Sequence, residues 1–559
     1  MKKDYQLKDT DLRKTKFMLS LSYLKSVNKS GFKLGLLLAV TLFFTFACSD
    51  EFLNKPQLNS LADENFWKTE KDANMGVMGC YDALQQNFVY NGAHDYVGSW
   101  TVHFDAVSDD AVYRWTWQQM EWIPRNTLAP DSWLVQIYWQ ANFVVVARCN
   151  EAIAKVGAMT ADQIKPEVAQ KLLAEVKFVR ALIYSNMVSL YHDIPLVTVP
   201  QLPRDMPANT ERAKIVDFIQ KDLLDIIPNL PATRPTSEWG RITKGAAYTL
   251  LARTNLSNIG NGGTYEKAAE YAKNVMSLGS YSLFGNYEKL FKAENEINSE
   301  VIFPVVFVRG PSDNGSAFVG SWSPSVGNYW LFPLSNLVND YYCTNGKPIK
   351  DASGALNPLY NSNNIWNNRD PRLTATIVGE GALWAGKPII KTDMSAEPTG
   401  FAFRKWREET GNDDRFDSPQ DFYVFRYAHV LLMRAEALIM SGKFTDPDVD
   451  ICINAIRSRV GMPTVENAEA AGRTLTKDDY VKIIQHEWRV ETAFEGWRFF
   501  NLIRWGELKN AYDKVNETDA TLFPSIVPTH IYAPRTEVFP IPTSELDRNK
   551  NLTQNPLWR

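Results

Sequence analysis

The sequence predicts a mainly α-helical protein in which paired helices alternate with long irregular segments. Apolar residues recur at helical spacing along much of the chain, and in residues 164–191 they form one broad face. Small residues (Gly245–Ala247 and Ala268-Ala269) fall where neighbouring helices would cross, a pattern similar to tetratricopeptide-type repeats. The helical period disappears in residues 90–130 and 309–418, and both segments are rich in Trp. We therefore expect one helical scaffold with two inserted segments that converge in space.

The first 47 residues have the organisation of a secretory signal peptide. Three lysines precede an apolar run, Leu34–Ala47, of about 14 residues, fewer than the roughly 20 that a membrane-spanning helix needs. Thr45–Cys48 is similar to the lipobox of bacterial lipoproteins, in which the cysteine becomes the lipidated N-terminus. We expect cleavage before Cys48. An ordinary signal peptide with an incidental cysteine is the alternative, and Met18 rather than Met1 is a second candidate start.

Residues 48–559 are net acidic. They carry 51 basic and 61 acidic side chains, since nine of the 60 Lys and Arg and three of the 64 Asp and Glu precede Cys48. An acidic chain without a basic cluster argues against nucleic acid as a partner, and it leaves lipid as the membrane anchor. The four later cysteines have no CxxC spacing and no nearby histidine cluster, so a zinc site is not expected. We expect buried free thiols, with disulfide pairing left open (Cys80, Cys149, Cys343 and Cys452).

Local patterns predict the elements in chain order. Helices are expected over residues 61–88, 132–158, 164–191, 213–227, 243–258, 265–278, 425–441, 448–460 and 477–507. Residues 301–308 are predicted to form a strand, with Pro304 at an edge or bulge. The tail, residues 539–559, is predicted to be extended and rich in turns.

Motifs for catalysis are incomplete in this chain. His486-Glu487 lacks the second histidine of a zinc-protease helix, because Val occupies position 490. Gly315–Ala317 lacks the closing glycine of a serine-hydrolase turn. Asp109-Asp110 and Asp413-Asp414 are interpreted as turns or polar contacts rather than as a glycosidase pair. We expect no enzymatic activity, no cofactor and no metal ion.

The stretch Glu487–Gly506 combines an aromatic face with many Arg and Glu side chains. Its pattern indicates a partly buried ion-pair network that packs helices together. Within it, Glu495 and Arg498 are spaced to form a pair three residues apart on a single helix.

This stretch and several others, in the same order, resemble the SusD/RagB family of outer-membrane lipoproteins of Bacteroidota. The other matching blocks are Phe52–Pro56, Phe66–Ala73, Glu175–Pro195, Gly240–Ala247, Arg426–Ala437, Ile453–Arg459, Phe539–Pro542 and Asn551–Pro556. The resemblance implies a single SusD-like domain over residues 48–559, with an N-terminal part (about 48–235) and a C-terminal part (about 300–559). It also implies a tetratricopeptide-like scaffold of about four helix pairs, with loop-rich, short-strand insertions on the ligand side.

The resemblance also implies a function. Family members are binding proteins that capture glycan at the cell surface and pass it to a partner SusC-like TonB-dependent transporter. This chain would be held on the outer face of the outer membrane by lipid on Cys48. Peptide uptake on the same fold, or a glycan-cleaving surface lipoprotein, are the alternatives.

The candidate ligand contacts lie in the two Trp-rich segments. All 17 Trp follow Cys48, and six lie between Trp100 and Trp139. Aromatic planes stack on the apolar faces of sugar rings, while polar side chains hold the hydroxyl groups. The candidate platforms are Trp100, Trp115, Trp117, Trp322 and Trp330, and the candidate polar contacts are Tyr96, Asp109, Arg114 and Asn328. For each Trp the alternative is a place in the core or at the transporter interface.

Overall fold

The computed structural model describes residues 66–90, 100–113, 119–310, 315, 331–395, 397–407, 409, 417–470 and 472–559. The predicted signal peptide and Cys48 lie outside these residues. By their internal contacts, Trp67–Arg559 form one unit. Within the described part of the chain, no helix has the length and apolarity to cross a bilayer.

Most of the regular structure is helical, as predicted. The helices of eight residues or more are α1 (Glu70–Asp82), α2 (Trp133–Ala158), α3 (Pro166–Tyr191), α4 (Arg212–Ile226), α5 (Lys244–Ser257), α6 (Tyr265–Ser277), α7 (Tyr427–Met440), α8 (Pro447–Arg459), α9 (Lys477–Thr492), α10 (Arg498–Trp505) and α11 (Leu508–Glu517). Shorter helices lie at Trp100–His103, Tyr287–Leu290, Ser335–Asp340, Pro371–Thr376, Asp519–Leu522 and Thr543–Arg548.

Threonine side chains set the start of four helices. Thr69 and Asp72 form a reciprocal capping box at α1, in which each side chain accepts from the other residue's backbone N–H. Thr476 and Asp479 do the same at α9. The Thr243 and Thr264 side chains cap α5 and α6. These caps satisfy backbone donors that the first turn leaves unpaired, so the helix starts are fixed locally.

Consecutive helices pack against one another in chain order. α2 contacts α3, α3 contacts α4, and the order continues through α9. Taken two at a time, α2 to α9 make four pairs, as expected for a tetratricopeptide-like scaffold. The small residues predicted at the crossings are at most 4% exposed, and the helices that carry them, α5 and α6, are in contact (Ala246, Ala247, Ala268 and Ala269).

A long insertion separates α6 from α7 and holds most of the strands. The strands are β1 (Ala111–Tyr113), β2 (Val301–Val305), β3 (Leu331–Pro333), β4 (Ile377–Gly379), β5 (Leu383–Trp384), β6 (Lys387–Pro388), β7 (Phe401–Phe403) and β8 (Phe422–Arg426). They form four antiparallel pairs, β1–β3, β2–β8, β4–β7 and β5–β6. The β2–β8 register shifts at Pro304, which confirms the predicted irregularity at this residue.

A buried ion-pair cluster joins the insertion to helices α7, α8 and α9. Arg426 lies at its centre and pairs with Glu300 at 2.8 Å, Glu491 at 2.6 Å and Glu495 at 2.6 Å. Every side chain of this cluster is at most 4% exposed (Glu300, Asp370, Arg372, Lys405, Arg426, Arg457, Arg459, Glu487, Glu491 and Glu495). The network predicted from the sequence is therefore confirmed, and it is more deeply buried than expected.

The predicted helix 477–507 is wrong in one respect, because it is interrupted. α9 ends at Thr492 and α10 begins at Arg498. Between them, Phe494 and Gly496 have φ angles of 60° and 78°, which a right-handed helix excludes. The break turns Glu495 toward Arg426 and leaves Arg498 to pair with Asp109, so the predicted Glu495–Arg498 pair is also wrong.

The segment predicted as irregular surface over residues 90–130 is partly core. Residues 102–113 are all buried. The Tyr512 hydroxyl donates to the Val107 carbonyl at 2.9 Å, and the Phe104 ring packs on Phe500 with centroids 4.8 Å apart. The described part of this segment forms short helices and one strand, so its sequence has no extended helical period.

Candidate ligand-binding site

The β1–β3 strand pair brings the two Trp-rich segments to one place. Tyr113, the last residue of β1, is opposite Leu331, the first residue of β3. Opposed residues of an antiparallel pair lie about 5 Å apart. Residues 114–118 follow Tyr113 directly, and residues 316–330 directly precede Leu331. The two Trp-rich segments therefore meet at this strand pair, as predicted from the sequence.

Two arginines hold the segment that leads into β1. Arg498 of α10 binds the Asp109 carboxylate with two hydrogen bonds of 2.8 and 2.9 Å. Arg489 of α9 donates to the Asp110 carboxylate at 2.8 Å and to the Asp109 carbonyl at 3.0 Å. The Gly496 N–H, from the turn between the two helices, donates to Asp105 at 2.9 Å. The C-terminal helices thus fix the position of β1.

Similar contacts hold the start of the segment after β3. The Leu334 N–H donates to the Asp110 carbonyl at 2.9 Å, which extends the strand pairing by one bond. The Asp519 carboxylate accepts from the backbone N–H of Ser335 at 2.7 Å and of Asn336 at 3.1 Å. Both strands are therefore tied to the C-terminal part of the chain.

A small apolar cluster lies beside this strand pair. Val112 of β1 and Phe332 of β3 pack with side chains from the C-terminal part that are at most 1% exposed (Leu334, Val515 and Val527). Strands of three residues are too short to be stable alone. The apolar packing and the ion pairs therefore stabilise this strand pair.

The two aspartates under the strands have pKa values shifted in opposite directions. Burial alone would raise the pKa of Asp109, but Arg489 and Arg498 outweigh it and hold this pKa well below its usual range. For Asp110, burial is the larger effect, and its pKa lies above the usual range despite Arg489. The arrangement acts chemically as a rigid support. In the described residues, no group of three or more His, Cys, Asp or Glu side chains could hold a metal ion.

The structure describes few of the predicted ligand contacts. Trp100 is the first residue of the short helix Trp100–His103, and the structure describes its backbone only. The other candidate contacts apart from Asp109 lie outside the described residues (Tyr96, Arg114, Trp115, Trp117, Trp322, Asn328 and Trp330). Asp109 is 1% exposed and is held by two arginines, so this placement gives no support to a direct ligand contact.

Three Trp of the second irregular segment belong to the core. Trp366, Trp384 and Trp406 are each at most 8% exposed. The indole N–H of Trp366 donates to the Glu380 carbonyl at 2.8 Å, and that of Trp406 donates to the Phe494 carbonyl at 2.9 Å. For these three, the alternative considered from the sequence, a place in the core, is correct.

Sequence reasoning missed the arginines that position the strands. The sequence pattern indicates that Arg489 and Arg498 are charges of a packing network, but Asp109 and Asp110, the partners that position the strands, lie more than 370 residues earlier in the chain. No local spacing signals a pair of that kind. The four cysteines after Cys48 are buried free thiols, as predicted (Cys80, Cys149, Cys343 and Cys452).

Two family models match this chain. Residues 299–558 match the model described as the SusD family, and residues 51–256 match one described as starch-binding associating with outer membrane. Among curated proteins, a SusD-like protein of Formosa agariphila is 25% identical over 92% of this chain and 97% of its own length. The starch-binding protein SusD of Bacteroides thetaiotaomicron is 26% identical over 79% of this chain and 82% of its own length.

Solved structures share the fold. A SusD-like carbohydrate-binding protein of Bacteroides fragilis matches with a TM-score of 0.75 and 24% identity, covering 87% of this chain and 100% of its own. A laminarin-binding SusD-like protein matches with a TM-score of 0.67 and 24% identity, covering 88% of this chain and 99% of its own.

Proposed function

The chain belongs to the SusD family, and from this premise we propose that it captures oligo- or polysaccharide at the cell surface. The captured glycan is then delivered to a partner TonB-dependent outer-membrane transporter. The protein acts by binding and does not cleave its ligand. Lipid on Cys48 anchors it to the outer membrane, with the binding side facing the exterior.

The pairing of β1 with β3 is the observation that carries the proposal. Residues 114–118 follow β1 directly and residues 316–330 directly precede β3, and these residues contain four of the candidate aromatic platforms (Trp115, Trp117, Trp322 and Trp330). A glycan-binding surface needs several flat aromatic faces near one another, because each stacked ring contributes little alone. A rigid support beneath the strands lowers the entropy lost when ligand binds.

The first experiment measures which polymer is bound. Starch and laminarin are the first probes, because relatives carry these names, and a wider glycan array follows. We expect retardation of the purified chain in native gels that contain a bound polysaccharide, without release of new reducing ends. Release of reducing ends would overturn the proposal in favour of an enzyme. Peptide binding together with a blank glycan array would favour peptide uptake.

The second experiment tests the platforms. Substitution of Trp115, Trp117, Trp322 or Trp330 by Ala should weaken binding of the identified glycan about tenfold or more. Trp133→Ala is the matched control, because this side chain is 42% exposed at the start of α2 in the scaffold. Equal affinity of all five variants would remove these residues from the site.

The third experiment tests the anchor. Cys48→Ala should move the protein from the outer-membrane fraction to the soluble fraction while leaving glycan affinity unchanged. Retention of the variant in the membrane would contradict lipidation at this residue. Co-purification of a TonB-dependent transporter with the wild-type protein, without added glycan, would support the partnership.

A further inference from the structure

A cavity lies in the helical scaffold. It has a volume of about 260 Å³ and is bordered by α3, α5, β8 and α10. None of the residues that line it belongs to β1, to β3 or to the candidate platforms. An engineered cavity of about 150 Å³ holds a benzene molecule. This cavity therefore has room for one ring with a substituent.

Two arginine side chains of the lining, Arg212 and Arg253, form no salt bridge with any described carboxylate. Arg253 of α5 donates to the Asn186 amide oxygen at 2.9 Å, and its guanidinium lies 5.0 Å from the Phe425 ring. Arg212 of α4 donates to the Asn258 amide oxygen at 2.9 Å and to a backbone carbonyl at 3.0 Å. Among the described residues, neither guanidinium has a carboxylate within 4 Å.

The other charged groups of the lining are already balanced. Arg504 is paired with Glu436. Glu495 belongs to the ion-pair cluster, where Arg426 and Lys405 neutralise it. Burial and the nearby Arg212 lower the pKa of His192 to about 4, so this imidazole is neutral at pH 7. The lining thus has an excess of positive charge, which Arg212 and Arg253 contribute.

Burial lowers the pKa of both arginines. It lowers the pKa of Arg212 to about 10, against a smaller opposing effect of Asp193. Both remain protonated at pH 7, and a bound anion would compensate for the hydration that each has lost.

The remaining lining suits a ring that carries hydroxyl groups. Tyr138, Trp497 and Phe500 provide aromatic surface, while Ser189 and Asn501 provide polar side chains. Guanidinium groups bind carboxylate and sulfate oxygens through paired N–H donors. We propose that this cavity binds a small organic anion, a sugar-sized ring that bears one carboxylate or sulfate group.

Isothermal titration calorimetry with matched probes tests the charge requirement. Glucuronate and glucose 6-sulfate carry the anion, glucose lacks it, and inorganic sulfate lacks the ring. We expect saturable binding of one or both anionic sugars, with glucose and inorganic sulfate at least tenfold weaker. Equal binding of glucose and glucuronate, or no binding of either anionic sugar, would overturn the proposal.

Variants locate the binding. Arg253→Gln and Arg212→Gln should each weaken the anionic sugar about tenfold or more, whereas Arg148→Gln, an exposed arginine paired with Asp82, should not. Thermal unfolding of each variant without ligand identifies any that fails to fold, and the other variant then decides the outcome. Unchanged affinity in a folded Arg253→Gln protein would place the anion elsewhere.

The two binding proposals can fail separately. Arg253→Gln should leave binding of a neutral polysaccharide unchanged, because its side chain is not part of the Trp-rich segments. A loss of polysaccharide binding in this variant would show that the cavity and the glycan-binding surface are one site. Failure of polysaccharide binding in the wild-type protein would leave the anion test unaffected.

Discussion

Arg489 and Arg498 show how single side chains support the candidate binding site. Each reaches from a C-terminal helix to the segment that leads into β1. All the carboxylates and guanidiniums involved lie in the protein interior, apart from Asp340, which is about a third exposed. Removing one member of a buried ion pair leaves the other charge without its partner in the low-dielectric protein interior, which is unfavourable.

We predict that Arg489→Met destabilises the protein by about 3–5 kcal/mol, because Asp110 loses its nearer charged partner and is left with Arg498 at 3.8 Å. Urea unfolding followed by circular dichroism measures the change. Arg473→Met is the control, since Arg473 and Asp479 form an exposed pair and little change is expected. Equal destabilisation by the two substitutions would contradict the importance of the buried pairs.

Glu487 gives a prediction for pH dependence. Burial alone would raise its pKa, but Arg372 and Arg457 lower it to about 2 from an ordinary value of 4.5. Since the folded protein has the lower pKa, the stabilisation is complete above about pH 4.5 and is lost as pH falls toward 2.

Glu487→Gln should therefore lower the unfolding temperature strongly at pH 6 and less strongly at pH 3. Differential scanning calorimetry over this range measures the gap between variant and wild type. Burial lowers the pKa of the neighbouring His486, whereas Glu487 raises it, so the measured gap includes the change in this histidine's titration. Glu517→Gln, which removes an exposed carboxylate, is the control. A gap that widens on acidification would show that the pKa of Glu487 is not lowered.

At the scale of elements, the turn between α9 and α10 determines which partners the residues between these helices contact. It orients Glu495 toward Arg426 and directs the Gly496 N–H to Asp105. Gly496 has a φ of 78°, which costs any residue with a Cβ about 1–2 kcal/mol.

We predict that Gly496→Ala destabilises the protein by about 1–2 kcal/mol. Gly79→Ala in α1 is the matched control, because a Cβ there meets nothing within 4 Å. The control should stabilise the protein by up to about 1 kcal/mol through helix propensity. Chemical denaturation of both variants measures the difference, and effects of the same sign would argue against a special role for this turn.

The same turn shows where sequence reasoning ends. The helices α2 to α6 follow from apolar periodicity, and their observed ends lie within two residues of the predicted ones. Residues 487–506 keep a helical pattern through Phe494, yet the backbone there is left-handed. The cause is a set of partners, Arg426 and Lys405, that only the folded chain brings near Glu495.

For the candidate site, as for the helices, the sequence predicts the segments involved but not the contacts of single residues. Composition and the loss of periodicity indicate two Trp-rich segments, and one strand from each, β1 and β3, pair with each other. Composition could not separate Trp in the core, such as Trp406, from Trp outside it, because both occur in aperiodic sequence. Composition predicts Asp109 as a polar ligand contact, and no local pattern signals that Arg489 and Arg498 from the C-terminal helices bind it.

At the scale of the whole molecule, the C-terminal tail returns to the first helices. The Phe539 N–H donates to the Leu190 carbonyl at 2.7 Å, and the Thr543 N–H donates to the Pro130 carbonyl at 2.9 Å. The Phe539 ring is 1% exposed and packs on Tyr191 with centroids 5.7 Å apart. The tail is therefore part of the core of the N-terminal half.

Phe539→Ala should destabilise the protein by about 3–5 kcal/mol, because it leaves a cavity between the tail and α2 and α3. Hydrogen exchange monitored by mass spectrometry should show the largest increase in those two helices. Ile531→Ala, at a side chain that is 50% exposed, should change stability by less than about 0.5 kcal/mol. An increase confined to the tail itself would contradict this role.

The position of Phe539 also has a consequence for how the chain is made. Synthesis proceeds from the N-terminus, so α2 and α3 emerge more than 340 residues before the side chain that completes their packing. Until then the apolar surface of Tyr138 and Tyr191 that Phe539 covers remains open to chaperones and proteases. A chain that lacks Phe539 would leave this surface of α2 and α3 uncovered even after the rest of the scaffold has folded.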